Sequence, residues 1–267
     1  MSWKEAEDAF KTSDMVLFPI GTLHCHGPTP ISVDYTSVEK IADEVGKRTG
    51  ILTLPVLPYG ENKQKYYPGS ISISPDTLEK YYIDIFKSLR RHGTRRVLVL
   101  NGHGGNREAL MRAARVVRKN GMIIGIQEWW NLAKLLPKLN ERGIHIVELA
   151  VALAIDGIDI ADVSPGVYKG EWGNPPDHPI STKNIFGDNF KPLGFDFFDY
   201  NGSQVIIPIH TWDLDVDGPE SVEEKDLTEL SEMGNKLLDL VVDYVAKLAK
   251  EFAKMPLEEA LKSQDRF

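Results

Sequence analysis

Only one cysteine, Cys25, occurs in the 267 residues, so an internal disulfide is excluded. A chain built without disulfides is expected in a reducing compartment, here the cytoplasm. Long hydrophobic runs are also missing. No uninterrupted apolar stretch reaches the length that spans a bilayer. The charged opening MSWKEAEDAF is not followed by the apolar segment of a signal peptide. Positive charge is in deficit, with 31 Lys and Arg against 39 Asp and Glu, a net charge of −8. The lysines and arginines form no stripe or block. That argues against nucleic acid, whose binding rests on neutralising phosphates, and against an anionic membrane surface. Internal repeats and low-complexity linkers are absent as well, which leaves a single domain over 1–267 as the expected organisation.

What is present is an alternation of short apolar runs with helical patterns. Apolar residues are 42% of the chain, ample for a substantial core. Residues 15–20 (MVLFPI), 51–57, 96–100 (RVLVL) and 122–126 predict buried strands, and 205–209 (VIIPI) predicts an edge or terminal strand because of Pro208. Between them, Val38, Ile41, Ala42 and Val45 recur at helical spacing. Ser74-Pro75 opens a helix with a stripe of Leu78, Tyr82, Ile85, Phe86 and Leu89. Asn106 is a candidate cap for a helix carrying Leu110, Ala113, Ala114 and Val117, ended by Asn120-Gly121. Ser221-x-x-Glu224 is a capping box before a long apolar-striped helix through Leu227, Leu237, Val245 and Phe252. Strands alternating with helices imply an α/β fold, a mainly parallel sheet covered by helices on both faces. Residues 166–217, rich in Gly, Pro, Asn, Asp and aromatics, stand apart as an irregular excursion.

In such folds ligands sit at the carboxyl ends of the strands, which directs attention to two strand exits. The first is GTLHCHGPTPISVDY. His24 and His26, two apart, point to the same side of an extended chain, and two imidazoles on one side suit Zn, Mn or Fe. Asp34 follows, a carboxylate able to bridge two cations; its alternative is a helix cap. The second exit is NGHGGN, 101–106, where glycines permit a tight turn and His103 is placed as a third imidazole. A phosphate-binding turn is the alternative, although no GxGxxG fits there. Glu148 lies inside the apolar run GIHIVELAVALAI. A buried carboxylate needs a partner, either a cation or a Lys/Arg salt bridge. His145, one turn earlier, is a candidate general acid/base or a capping residue near the helix start. Trp129 and Trp130 suit an apolar wall against a flat ring, or core packing.

Taken together, GTLHCHGP with a downstream Asp, YYPGSISISPDTL, NGHGGN, EWWNLA and the long final helix resemble the creatininase (creatinine amidohydrolase) superfamily, over about residues 17–248. The resemblance implies a three-layer α/β/α fold, one or two divalent ions (Zn, Mn or Fe), and homo-oligomers, commonly hexamers. It implies metal ligation by His26, Asp34 (as the bridge) and His103, and it likens Glu148 to the carboxylate of the family's later Glu-Thr-Ser element. The chain departs from the pattern in four places. His24 stands where the family usually has Glu. The 26–34 loop is one residue shorter. His145 is out of register with the family His, and Gly105 replaces the creatininase acid. These departures point to a substrate other than creatinine.

The expected activity is hydrolysis of a small cyclic polar substrate by attack of metal-bound hydroxide on a ring carbonyl, with Asn101 near the developing oxyanion and a proton from His145 or a metal-bound carboxylate. The superfamily includes C–C hydrolases of oxidised inositol rings (3-dehydro-scyllo-inosose-like) and cyclic-amide or formamide hydrolases; His24 favours the first. Two other classes compete. A (β/α)₈-barrel amidohydrolase requires more strands than the sequence shows. A non-catalytic metal- or sugar-binding protein would close the metal's open position.

Overall fold

A computed structural model describes residues 1–24, 29–62, 69–155, 189–194, 197–207 and 226–262. Four parallel strands form the main sheet: β1 (Met15–Ile20), β2 (Leu52–Thr53), β3 (Arg96–Asn101) and β4 (Ile123–Glu128), in the order β2-β1-β3-β4. Parallel pairing forces crossovers, and helices supply them. α1 (Trp3–Thr12) precedes β1, α2 (Val33–Thr49) links β1 to β2, α3 (Pro75–Arg91) leads into β3, and α4 (Arg107–Arg118) connects β3 to β4. Two helices follow β4: the short α5 (Pro137–Asn140) and α6 (Ile144–Ala154). α7 (Asp226–Lys254) and α8 (Leu257–Lys262) complete the described chain.

The period-2 alternation of the strands divides the core in two. Met15, Leu17, Leu98 and Leu100 face one way, packing with Val38, Ile41 and Val45 of α2, the apolar residues of α6, and Leu237, Val241 and Val245 of α7. Val16, Phe18, Ile20, Val97 and Val99 face the other, against Leu78, Tyr82 and Phe86 of α3 and Leu110, Ala113 and Val117 of α4. The result is the three-layer α/β/α arrangement, with the central strands β1 and β3 buried on both faces and therefore almost wholly apolar.

Several sequence expectations are revised by the structure. The predicted strand at 51–57 is regular only over Leu52–Thr53, since Pro55 has no N–H for the ladder. The chain stays alongside β1 nonetheless, with Leu54 N–H donating to the Leu17 carbonyl at 2.9 Å and Leu57 N–H to that of Pro19 at 3.1 Å. β4 runs two residues beyond 126, to Glu128. The described part of the 166–217 excursion is not irregular: Phe190–Gly194 (β5), Phe197–Tyr200 (β6) and Ser203–Ile206 (β7) form a separate antiparallel sheet, turned at Asn201-Gly202, both at positive φ. The strand predicted at 205–209 is thus the edge of this small sheet, ending before Pro208. The capping box at 221–224 lies outside the described residues. Ser74 caps α3 as its sequence implies, with Pro75 in the first turn.

Tyr82 yields a stability prediction. It is fully buried, its hydroxyl has no hydrogen-bond partner among the described residues, and burial pushes its pKa up from the ordinary tyrosine value. Removing an unsatisfied buried hydroxyl relieves a desolvation cost of about 1–3 kcal/mol, so Tyr82→Phe should melt at the same temperature as the natural chain or higher. Because the folded pKa is raised, the native state retains a proton that the unfolded state loses above about pH 10. The natural chain should therefore lose stability more steeply than Tyr82→Phe as the pH rises past that point. Denaturant melts between pH 8 and 11 check both expectations, and identical pH slopes would contradict the second.

Candidate active site

The carboxyl ends of three strands are level: Ile20 of β1 lies opposite Asn101 of β3, and Asn101 opposite Glu128 of β4. The chain leaves β1 and β3 through glycine, and both exits lie against the first turn of α2. A Cβ on Gly21 would stand 2.4 Å from Tyr35 Cα, and one on Gly102 only 1.9 Å from the Asp34 carbonyl oxygen. Only glycine permits these approaches, and through them two loops remote in sequence meet one helix start.

Asp34, in the first turn of α2, is 2% exposed. Its Oδ2 stands 2.8 Å from His103 Nδ1. The alternative of a helix cap does not hold, because Ser32 occupies the cap position and Asp34 is inside the helix. A carboxylate there still gains from the helix dipole. The His24 ring is 8% exposed and its centroid lies 4.8 Å from that of His103, inclined by 57°. His24, Asp34 and His103 are thereby gathered at one place. His26 lies outside the described residues.

The NGHGGN turn is held by its two asparagines. Asn101 is fully buried; its Nδ2 donates to the His103 carbonyl at 2.7 Å and its Oδ1 accepts from the His103 N–H at 3.3 Å. Asn106 occupies the cap position of α4 but makes no cap hydrogen bond with its side chain, a correction to its expected role. Its Nδ2 donates to the Gly21 carbonyl at 3.1 Å and to Asn101 Oδ1 at 3.4 Å, while its Oδ1 accepts from the Glu61 N–H at 3.1 Å. One amide therefore ties together the β1 exit, the 60–62 segment and the β3 exit. At Gly105, a Cβ would stand 2.5 Å from the Glu61 carbonyl oxygen and 2.8 Å from His103 Nε2, so the turn has no room for a side chain there.

α6 contributes a second pair. Glu148 is buried, and His145 Nδ1 is 3.7 Å from its Oε2, with the imidazole side chain 34% exposed. Gly143, at φ 89°, starts this helix, so His145 is not its cap. Trp129 is 2% exposed within the core, and Trp130 is partly buried against the same core. Arg107 and Glu128, not among the site residues expected from the sequence, form a two-pronged pair beside Asn101. An available signal was the arginine itself, since a cation in the first turn of a helix is disfavoured by the dipole and calls for an acidic partner.

Among the described residues, no three His, Cys, Asp or Glu side chains are drawn closely enough together to hold an ion. The chemistry of the gathered donors nevertheless fits a divalent transition metal: two imidazoles and a buried carboxylate at a helix start.

Fold and donors define the class: a three-layer α/β/α protein with imidazole and carboxylate groups at the carboxyl edge of its parallel sheet. Residues 1–158 match the creatininase (creatinine amidohydrolase) family model, and the chain belongs to this family of hydrolases. It is 28% identical to the creatinine amidohydrolase of Pseudomonas putida, over 60% of this chain and 72% of that protein. It is 22% identical to the 3-dehydro-scyllo-inosose hydrolase of Thermotoga maritima, over 100% of this chain and 88% of that protein. A crystal structure of creatinine amidohydrolase aligns at 25% identity with a TM-score of 0.65, covering 94% of this chain and 96% of that one. Further similar solved folds include a Zn-Zn type mutant creatininase and a manganese creatininase, with TM-scores of 0.65 and 0.63.

Proposed function

We propose that this chain is a metal-dependent hydrolase that opens a small polyhydroxylated cyclic diketone, of the 3-dehydro-scyllo-inosose type, by adding water across a ring C–C bond. The observation that carries the metal site is the contact of His103 with Asp34, beside His24, at the exits of adjacent strands. The proposed ligands are His24, His26, Asp34, His103 and Glu148. One or two divalent ions (Zn, Mn or Fe), when bound there, would supply Lewis acidity that lowers the pKa of water from about 16 towards roughly 7.

The protein groups have distinct tasks. Asp34, buried and rigid in its helix, orients the His103 ring. Asn101 holds both backbone groups of His103, so it positions the turn more directly than it meets substrate. His145, partly open to solvent beside Glu148, moves a proton to the departing atom. Attack of water oxygen on one ring carbonyl forms a C–O bond and breaks the adjacent C–C bond. The electron pair leaves as an enolate, which takes the proton at carbon. Trp130 is better placed than the core residue Trp129 to face a ring.

The diketone is favoured by the likeness to the dehydro-inosose hydrolase along the whole chain and by the closed Gly105 position. A second reading, cyclic-amide hydrolysis, draws on the higher identity to creatinine amidohydrolase over a shorter stretch. Assays of the metal-loaded protein on both substrates decide between them. Turnover of the diketone should exceed that of creatinine by at least about 100-fold, a floor set by shape discrimination alone, since sites that hydrogen-bond a hydroxyl reject analogues lacking it by about 10⁴-fold or more. The reverse order would establish the amide reading. Metal binding with turnover of neither would favour a binding protein.

A further inference from the structure

We propose that Glu128 and Arg107 are positioning residues that hold the His103 turn in its metal-binding shape; this rests on the metal site proposed above. Glu128 ends β4, level with Asn101, and its carboxylate is almost wholly buried. Arg107 Nε donates to Oε1 and Nη2 to Oε2, both at 2.7 Å. Asn131 Nδ2 donates to Oε2 at 3.0 Å. The remaining donor is Asn101, whose Nδ2 lies 3.5 Å from Oε1, the longest of these four contacts, and 2.7 Å from the His103 carbonyl. A chain of polar groups thus runs from Arg107 through Glu128 and Asn101 to the backbone of His103 on both its N–H and its C=O side.

The geometry suits restraint better than reaction. Both prongs of the Glu128 carboxylate are occupied by a planar guanidinium, the arrangement that fixes orientation most firmly. Arg107 is the first residue of α4, which begins directly after the turn, so the pair ties that helix start to the strand end on the far side of Asn101. Its side chain is 46% exposed, and a solvent-screened pair there adds little to global stability. What the network restrains is the local placement of His103. Partners one step removed from a ligand commonly change metal affinity by about 10- to 100-fold when lost.

The test is chelator competition for Zn²⁺ on the full-length protein, alongside melting of the metal-free form. Glu128→Gln replaces an acceptor with an amide whose N–H₂ faces the donors of Arg107 or Asn131, and should weaken zinc binding by about 10-fold or more. Should that variant not fold, Arg107→Met, at a half-exposed position, gives the same readout and the same expected direction. A purely structural pair predicts a lower melting temperature with zinc affinity within about twofold of the natural chain, and that result overturns the proposal. His103→Ala separates the two levels. If it loses zinc while Glu128→Gln does not, the positioning role fails and the metal site stands. If it retains full affinity, the metal site itself fails, and this inference with it.

Discussion

Replacing Gly102 with alanine is expected to destabilise the fold and to disrupt the proposed metal site together. The added Cβ would stand 1.9 Å from the Asp34 carbonyl oxygen, 2.9 Å from its carbonyl carbon and 3.2 Å from Val38 Cγ1. Two of these atoms are backbone within the first turn of α2, so neither can swing aside. Overpacking of a core ordinarily costs about 1–3 kcal/mol, and a clash with backbone belongs at or above the top of that range. For a chain of this size, 3 kcal/mol corresponds to a fall in melting temperature of roughly 6–12 °C. The move that relieves the clash is separation of the β3 exit from α2, which also separates His103 from Asp34. Zinc affinity should therefore fall at least about 10-fold in any fraction that folds. Gly104→Ala is the control, because a Cβ there meets nothing within 4 Å among the described residues; it should melt within about 1 °C of the natural chain. Equal melting temperatures for the two variants would contradict the close approach on which the site is built.

The other large effect is expected at His103. His103→Ala removes the imidazole that stands between His24 and Asp34, and leaves the Asp34 carboxylate buried with the ring beside it gone. Metal content by mass spectrometry should drop below that of the natural chain after mild dialysis, with affinity weakened more than the roughly 10- to 100-fold typical of groups one step removed from a metal. Activity should fall by at least about a thousandfold, the upper range for deleting one group aimed at developing charge. Asp34→Asn keeps the shape and removes the charge. It should move both quantities in the same direction, since the amide cannot serve as an anionic ligand or restrain the His103 ring in the same way. Full metal occupancy in His103→Ala would remove the basis for a metal-dependent reaction at this edge of the sheet.

The element pattern was largely legible because it is local. The short apolar runs MVLFPI and RVLVL and the 3.6-residue stripe of Leu78, Tyr82 and Phe86 each depend on neighbours within two turns. The carboxylate of Glu148 stood out because it interrupts an apolar run, and burial makes such an interruption costly. The shortened 51–57 strand has a local cause, Pro55 within it, while its partner strand keeps the segment in place. The other differences depend on long-range contacts. Asn106 looked like a cap because cap chemistry and bridging chemistry use the same side chain; what it bonds depends on where Gly21 and Glu61 lie. Arg107 and Glu128 are 21 positions apart, and no periodicity joins a helix start to the end of the following strand.

By itself, the sequence determined the donor types, their placement at the exits of apolar strands, and the faces by which helices cover the sheet. These follow from residue chemistry and from the repeat of strand and helix. Tertiary structure alone decided which donors touch. His103 meets Asp34 only because Gly102 lets the β3 exit close onto α2, and the distance between segments so far apart in the chain is set by packing of the whole sheet against its helices, which no local pattern encodes.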